Sequence, residues 1–353
     1  MPHLILIAKN GFRMQLAGPW TTNKLSPTLQ ANSKVGVVIP CFKVRDHIMG
    51  VIAKIGPQVH KIYVVDDRCP VGSGNFVRSE CRDPRVTVLF NEKNLGVGGA
   101  TMTGYARALT DECDIVVKLD GDGQMDPSLI PVLIAPLVNG DADYTKGNRF
   151  FSPENLEGMP TLRLVGNTAL SFISKMSSGY WSVMDPTNGF TAIHATALSL
   201  LPLQKIDQRY FFESDILFRL NTIRAVVRDV PMKAVYADEE SNLKIGKVLR
   251  EFPIKHLKRV IKRLAYNYLL RDFNVCSLEL LAGMIFLLFG VFFGGYQWYQ
   301  HMNTTTSAPT GTIMLAVLPI IIGVQLLLAA ITLDVMNVPR DPLQQYLHNG
   351  RGQ

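Results

Sequence analysis

The segment VVKLDGDGQMDP, Val116–Pro127, is a short apolar run that stops at a turn carrying Asp120, Asp122 and Asp126. A continuous apolar run bounded by glycines and acids reads as a strand buried on both faces, as in a parallel sheet. The aspartates then stand at its carboxyl end. Like charges packed this densely repel, so the turn invites a cation. An EF-hand loop starting at Asp120 would need Gly at its sixth position and Glu at its twelfth. Those positions hold Met125 and Pro131, which excludes that reading. Two carboxylates on a turn freed by Gly121 and Gly123 suit Mg²⁺ or Mn²⁺, hard cations that bridge carboxylates and phosphates. An acidic surface turn is the plainer alternative. Pro127 suits the first position of a following helix, and Asp126 reads as its cap.

Outward from this segment the pattern repeats. Apolar runs at 35–40, 61–66, 85–90, 114–119 and 142–147 predict strands, with helices near 46–55, 73–82, 98–110 and 127–138. Such alternation predicts an α/β doubly wound architecture with a mostly parallel sheet. Ligands of such sheets bind beyond the carboxyl ends of the strands. Pro40, Cys41 and Phe42 follow the first strand, Asp66 and Asp67 end the second, and NEKNLGVGGA follows the third. Asp66 or Asp67 would accept a hydrogen bond from a base N–H or a ribose hydroxyl, or cap a helix. Gly96 and Gly98 would expose backbone N–H groups to a phosphate or sugar, or let a helix and a strand pack closely. Further on, MDPTNGF (184–190) has turn chemistry. FFESD (211–215) puts Glu213 and Asp215 at a helix start, as dipole partners or as a general base.

The 353 residues are 47% hydrophobic, and the apolar excess lies near the C-terminus. Val275–Tyr299 would form a helix of about 35 Å, and Thr312–Leu333 holds 22 residues without a charge. Each is long enough to cross a membrane; a pair of buried core helices is the alternative. Lys244–Arg271 carries nine Lys or Arg and one acid, net +8 against +7 for the whole chain. The positive-inside rule therefore places residues 34–245 and the tail 336–353 in the cytoplasm, with spans within 275–335. Ile254, Leu257, Val260, Ile261, Leu264, Tyr268 and Leu269 recur at helical spacing across 246–274. Lys255, Lys258, Arg259, Lys262 and Arg263 take the other face. A basic amphipathic helix of this kind lies on an anionic membrane surface. Charge confined to one segment argues against nucleic acid. The five cysteines form no C-x-x-C pair and read as reduced thiols. Residues 1–33 read as a poorly ordered leader without a cleavable signal.

Taken in order, VVIPCF, VVDD, NLGVGGA, DGDGQ, KGNRF and DPTNGF resemble the family-2 glycosyltransferases of the GT-A fold. Over roughly 35–245 the chain looks most like the polyprenyl-phosphate sugar transferases of the dolichol-phosphate mannose synthase type, with a two-span C-terminal anchor. The resemblance implies a metal-dependent enzyme of the inner membrane. It would move sugar from a UDP- or GDP-sugar to undecaprenyl or dolichyl phosphate on the cytoplasmic face. It implies that Asp120, Asp122 and Gln124 hold Mg²⁺ or Mn²⁺ and the donor diphosphate. Pro40, Phe42 and Asp67 match base-holding positions, and Arg149 and Arg163 match arginines that bind the acceptor phosphate. Asn188 and Gly189 fall in the block that shapes the sugar pocket. The family's opening I-P-x-Y-N-E is IPCFKV here, with Val44 at the acidic position. Its Arg before a Ser-Lys pair is missing from YADEESNLKIGK, so Lys244 or Lys247 would neutralise the leaving diphosphate.

The chemistry is consistent with that assignment. A divalent ion stabilises charge growing on a leaving diphosphate. A phosphate monoester with a second pKa of about 6 is largely ionised at neutral pH and needs positioning by arginine more than deprotonation. A hydroxyl acceptor on a lipid-linked saccharide or glycolipid would need a base, either Asp215 or Glu213. A non-catalytic nucleotide-binding membrane scaffold is the reading from another class. Two spans are too few for a lipid path alone; a homo-oligomer would present more.

Overall fold

The computed structural model describes residues 33–151, 161–232, 245–302 and 307–347. Its first element is β1 (Val35–Cys41), followed by α1 (Arg45–Ala53), β2 (Lys61–Asp66), α2 (Ser73–Glu80), β3 (Val86–Phe90), α3 (Val97–Thr110) and β4 (Ile115–Lys118). A single 3₁₀ turn, Pro127–Leu129, leads into α4 (Ile130–Val138) and β5 (Tyr144–Asn148). Then come α5 (Thr161–Ser178), β6 (Thr191–His194), α6 (Ala195–Leu200), α7 (Phe212–Thr222) and β7 (Val227–Pro231). The C-terminal part holds α8 (Ile245–Leu264), a π-helical turn (Ala265–Arg271), α9 (Val275–His301), α10 (Thr310–Met336) and the short α11 (Leu343–Leu347).

The seven strands form one sheet in the order β3-β2-β1-β4-β6-β5-β7. β6 alone runs against its neighbours β4 and β5; the other pairings are parallel. Successive residues of β1 enter opposite cores, Val37 and Ile39 on one face and Val38 on the other. Burial on both faces explains why this strand is apolar throughout rather than alternating. All five predicted strands are present, and β6 and β7 complete the sheet. The turn after β4 ends as the sequence predicts: Asp126 Oδ1 accepts Ser128 N–H at 2.9 Å, and Pro127 occupies the first helical position.

α9 and α10 are each 27 residues long and apolar enough to cross a membrane. Only 22% and 17% of their most apolar windows are buried, so they are not the core helices of a soluble fold. They pack as a hairpin through small residues. A Cβ at Gly290 would lie 2.6 Å from Ile320 and 2.8 Å from the Ala316 carbonyl, and Gly323 approaches the Leu287 backbone as closely. Backbones brought together this way are the usual basis of helix association in lipid. Asn274 caps α9: its Oδ1 accepts Cys276 N–H and its own N–H donates to Ser277 Oγ, both at 2.9 Å.

The basic segment is α-helical to Leu264, and its cations divide: Lys258 and Lys262 are exposed, whereas three others turn inward. Lys255, Arg259 and Arg263 pair with Asp207, Asp215 and Asp334, each at 2.6 Å. Ile254, Leu257 and Ile261 are the exposed residues, each more than half accessible.

Candidate active site

β4 delivers Asp120 and Asp122 to the carboxyl end of the sheet, as its apolar run predicts. The turn is tight: Asp122 Oδ1 accepts Gln124 N–H at 3.0 Å, and Gly123 has φ +81, which favours glycine. Lys118, in the strand itself and 2% exposed, reaches up to this turn. Its Nζ lies 2.7 Å from Asp120 Oδ1 and 3.8 Å from Glu213 Oε1. Burial alone would lower the Lys118 pKa, but Asp120 and Glu213 hold it above the ordinary lysine value. Sequence reasoning missed this residue; the only signal was a lysine inside an otherwise apolar central strand.

Glu213, at the start of α7, has its pKa raised by burial, with Lys146, Lys118 and Arg149 opposing and Asp120 adding. Glu213 therefore stands within electrostatic reach of both the Asp120 turn and Arg149. Asp215, two residues on, does not join this group. It is wholly buried, paired to Arg259 at 2.6 Å and Arg219 at 3.3 Å, and it accepts Asp207 N–H at 2.9 Å. Those partners correct the expectation of Asp215 as a base: its carboxylate ties α7 to α8.

The MDPTNGF turn closes the site. Arg149 grips Asp185 with two prongs, Nε to Oδ2 at 2.7 Å and Nη2 to Oδ1 at 3.0 Å. Asn188 is buried; its Oδ1 accepts Phe190 N–H at 3.0 Å and its carbonyl accepts from the Lys146 ammonium. Lys146, in KGNRF, is itself buried, and that burial lowers its pKa. Gly189 lies directly against the charged group. A Cβ there would collide with Lys118 Nζ and sit 2.7 Å from Asp120 Oδ2 and 3.0 Å from Glu213 Oε1. Glycine is required at this position by close approach rather than by backbone angle. Phe151, two residues past Arg149, and Met184, next to Asp185, are exposed, as is Phe172 of α5. Ser171 Oγ bonds the Met184 carbonyl at 2.9 Å, which joins α5 to the turn.

At the carboxyl ends of β1 and β2, Pro40 lies opposite Val65, and Phe42 is 42% exposed just beyond it. Asp66 and Asp67 are both buried and hydrogen-bonded within the protein. Asp66 accepts Cys69 N–H and Gly74 N–H, both at 2.7 Å, and so holds the loop that opens α2. Asp67 accepts Asn91 Nδ2 at 2.9 Å, Leu95 N–H at 2.8 Å and Gly96 N–H at 2.6 Å, pinning the NLGVGG loop to β2. Every carboxylate oxygen of the two is thus engaged within the protein. Gly96 and Gly98 lie against residues 207–212 rather than against a strand. Cβ atoms there would lie 2.7 Å from the Gln208 carbonyl and 2.5 Å from the Asp207 carbonyl, and Gly99 N–H donates to Gln208 at 3.0 Å.

Arg163 lies in α5, but its side chain is outside the described residues, as are Lys244 and most of the loop before α8. Among the described residues no three His, Cys, Asp or Glu side chains gather to hold a metal ion unaided. Asp120, Asp122 and the Gln124 amide are hard oxygen donors at one turn, a set that fits an ion completed by phosphate oxygens.

Residues 36–201 match the profile of "Glycosyl transferase family 2". The UDP-N-acetylglucosamine–dolichyl-phosphate N-acetylglucosaminyltransferase of Methanococcus voltae is 36% identical over 154 residues, 44% of this chain and 61% of that protein. The undecaprenyl-phosphate mannosyltransferase of Micrococcus luteus is 27% identical over 57% of this chain and 84% of its own length. The dolichol-phosphate mannosyltransferase of Pyrococcus furiosus is 28% identical, covering 65% of this chain and 64% of its own. The chain thus spans less than two thirds of the M. voltae and P. furiosus proteins. Among solved structures, the glucosyl-3-phosphoglycerate synthase of Mycobacterium tuberculosis with bound UDP superposes with TM-score 0.52 at 20% identity, over 66% of this chain and 82% of that one. That likeness concerns the fold alone. Residues 36–201, just under half of the chain, are thus similar to family-2 glycosyltransferases, and two helices apolar and long enough to span a membrane follow them.

Proposed function

We propose that the protein is a membrane-anchored transferase that moves a sugar from a nucleoside-diphosphate sugar to a polyprenyl phosphate at the cytoplasmic face. The observation that carries this reading is the convergence of Asp120, Lys118 and Glu213 at the carboxyl end of β4, with Arg149 held by Asp185 just past β5 and exposed Phe151 and Met184 adjoining that pair in the chain. Asp120, Asp122 and Gln124 would hold Mg²⁺ or Mn²⁺, which supplies charge stabilisation to the leaving diphosphate. Arg149, already oriented by Asp185, would position an anionic acceptor without needing a base. The apolar rim suits a phosphate that arrives on a hydrocarbon chain. The three similar transferases act, by name, on dolichyl or undecaprenyl phosphate.

The anchor fits the same reading. Ile254, Leu257 and Ile261 project outward from α8 beside Lys258 and Lys262, a combination that beds into an anionic membrane surface. The basic segment before α9 favours a cytoplasmic catalytic domain.

The test uses purified, detergent-solubilised protein with UDP- or GDP-sugars, Mg²⁺ or Mn²⁺, and undecaprenyl or dolichyl phosphate. Sugar should appear on the lipid only with metal and lipid phosphate together, and Asp122→Asn should reduce turnover at least about a hundredfold, the scale of losing a charge-stabilising group. If transfer occurs only onto a saccharide hydroxyl, the acceptor reading falls and Glu213, buried with a raised pKa, becomes the base to mutate. Donor turnover that survives Asp122→Asn would remove the metal assignment.

A further inference from the structure

Lys118 is anomalous for its strand. Its neighbours Val116, Val117 and Leu119 are fully buried and apolar, and Lys118 itself is 2% exposed. An ammonium withdrawn from water is costly unless paired. Its partner is Asp120 at 2.7 Å, with Glu213 at 3.8 Å and the Phe212 ring centroid at 5.5 Å. So one of the two aspartates assigned to the metal already holds a cation supplied by the protein. Over Gly189 the three charged groups converge so closely that not even a methyl group fits between them.

We propose that Lys118 is a built-in counter-ion that makes metal binding depend on the donor diphosphate. With the site empty, Lys118 neutralises Asp120. A divalent ion arriving alone would share Asp120, whose Oδ1 holds the lysine, and would lie near an ammonium. When the ion arrives with a diphosphate, the diphosphate's negative charge offsets that repulsion. Lys118 then keeps Glu213 as its partner, so neither buried charge is stranded. Lys118 is on this view a positioning residue, acting through Asp120. The inference rests on the metal reading above.

The experiment measures Mn²⁺ binding by titration calorimetry and by the electron paramagnetic resonance signal of free Mn²⁺, with Mn²⁺ alone and with Mn²⁺ plus UDP or GDP. Wild-type protein should bind Mn²⁺ weakly alone and much more tightly with nucleotide. Lys118→Met should bind Mn²⁺ alone at least about tenfold more tightly, since like charges this close repel appreciably even at bulk-water screening. The gain from nucleotide should shrink correspondingly, and Lys118→Arg should behave as wild type. Where Lys118→Met does not fold, Lys118→Gln keeps a hydrogen-bond donor to Asp120, removes the charge and serves the same comparison. Unchanged or weaker Mn²⁺ binding in the neutral variants, with binding still abolished by Asp122→Asn, overturns the role of Lys118; a purely structural lysine would not give tighter binding when removed. Binding that survives Asp122→Asn instead overturns the metal site itself.

Discussion

Asp229, in β7, has one carboxylate oxygen engaged and one without a partner. Oδ2 accepts Met184 N–H at 2.8 Å and Asn148 Nδ2 at 3.0 Å, whereas buried Oδ1 has no hydrogen-bond partner. Burial pushes its pKa up to about 6; Asp185 adds to the rise, while Met184 N–H and Lys146 oppose it. The folded protein therefore binds this proton more tightly than the unfolded chain. The associated stability is present in full below the unfolded value, near 4, and is lost as pH rises through about 6. The difference corresponds to about 3 kcal/mol. Denaturation of wild type and Asp229→Asn across pH should show their stability difference moving in the variant's favour by up to that amount between about pH 3 and pH 7. A pH-independent difference would mean that Asp229 titrates alike in the folded and unfolded chain. Neither Asp229 nor Lys118 was legible as a site residue in the sequence. Each is defined by neighbours from distant segments: Asp229 meets Met184 and Asn148, and Lys118 meets Glu213. The Asp120 turn was legible because its parts are contiguous.

At the scale of elements, periodicity gave the residues that share a face of α8 but not the acids that several of its cations meet. The recurrence of Ile254, Leu257 and Ile261 marks a helix face, and that face is exposed. The cations at 255, 259 and 263 share the opposite stripe and meet acids at 207, 215 and 334. Helical spacing shows which residues share a face, not what lies opposite it. For the same reason β1 to β5 were legible as apolar runs, whereas β6, four residues behind a turn, and β7, with Arg228 and Asp229 inside it, were not. Asp215 read as a base because acids at a helix start fit either role; only the α8 contact decides. Arg259→Met should therefore destabilise the protein by about 2–4 kcal/mol, at the lower end of the cost of stranding a buried charge because Arg219 remains. The double variant Asp215→Leu/Arg259→Met should recover much of that loss in thermal denaturation. If Asp215 were the base, Asp215→Asn would abolish transfer while leaving the melting temperature unmoved, which is the outcome that would revive that role.

Over the whole molecule, the membrane hairpin is bound to the catalytic domain at both ends, and the tightest link is Asp334 in the last turn of α10. Its carboxylate accepts Arg263 Nη1 at 2.6 Å and Nη2 at 2.9 Å, Tyr268 OH at 2.6 Å and Trp181 Nε1 at 2.9 Å. Four donors from α8, the π-helical turn and the segment after α5 thus converge on one residue of the anchor. Beyond it, Arg224 Nη1 bonds the Asn337 carbonyl at 2.9 Å, and buried Asp143 accepts Leu343 N–H at 2.9 Å and Gln344 N–H at 3.2 Å. The chain after α10 therefore returns to the domain that precedes α9, so both ends of the hairpin lie on one side. Arg263 also donates to the Met176 carbonyl of α5, the helix that carries Arg163. Asp334→Ala would leave a buried guanidinium, a phenol and an indole without their acceptor, a loss of about 3–5 kcal/mol read as a lower unfolding temperature in detergent. Because the node contacts α5 but none of β1, β2 or β4, the acceptor KM should rise while the donor KM holds. An equal rise in both would mean that the anchor supports the domain as a whole rather than through α5.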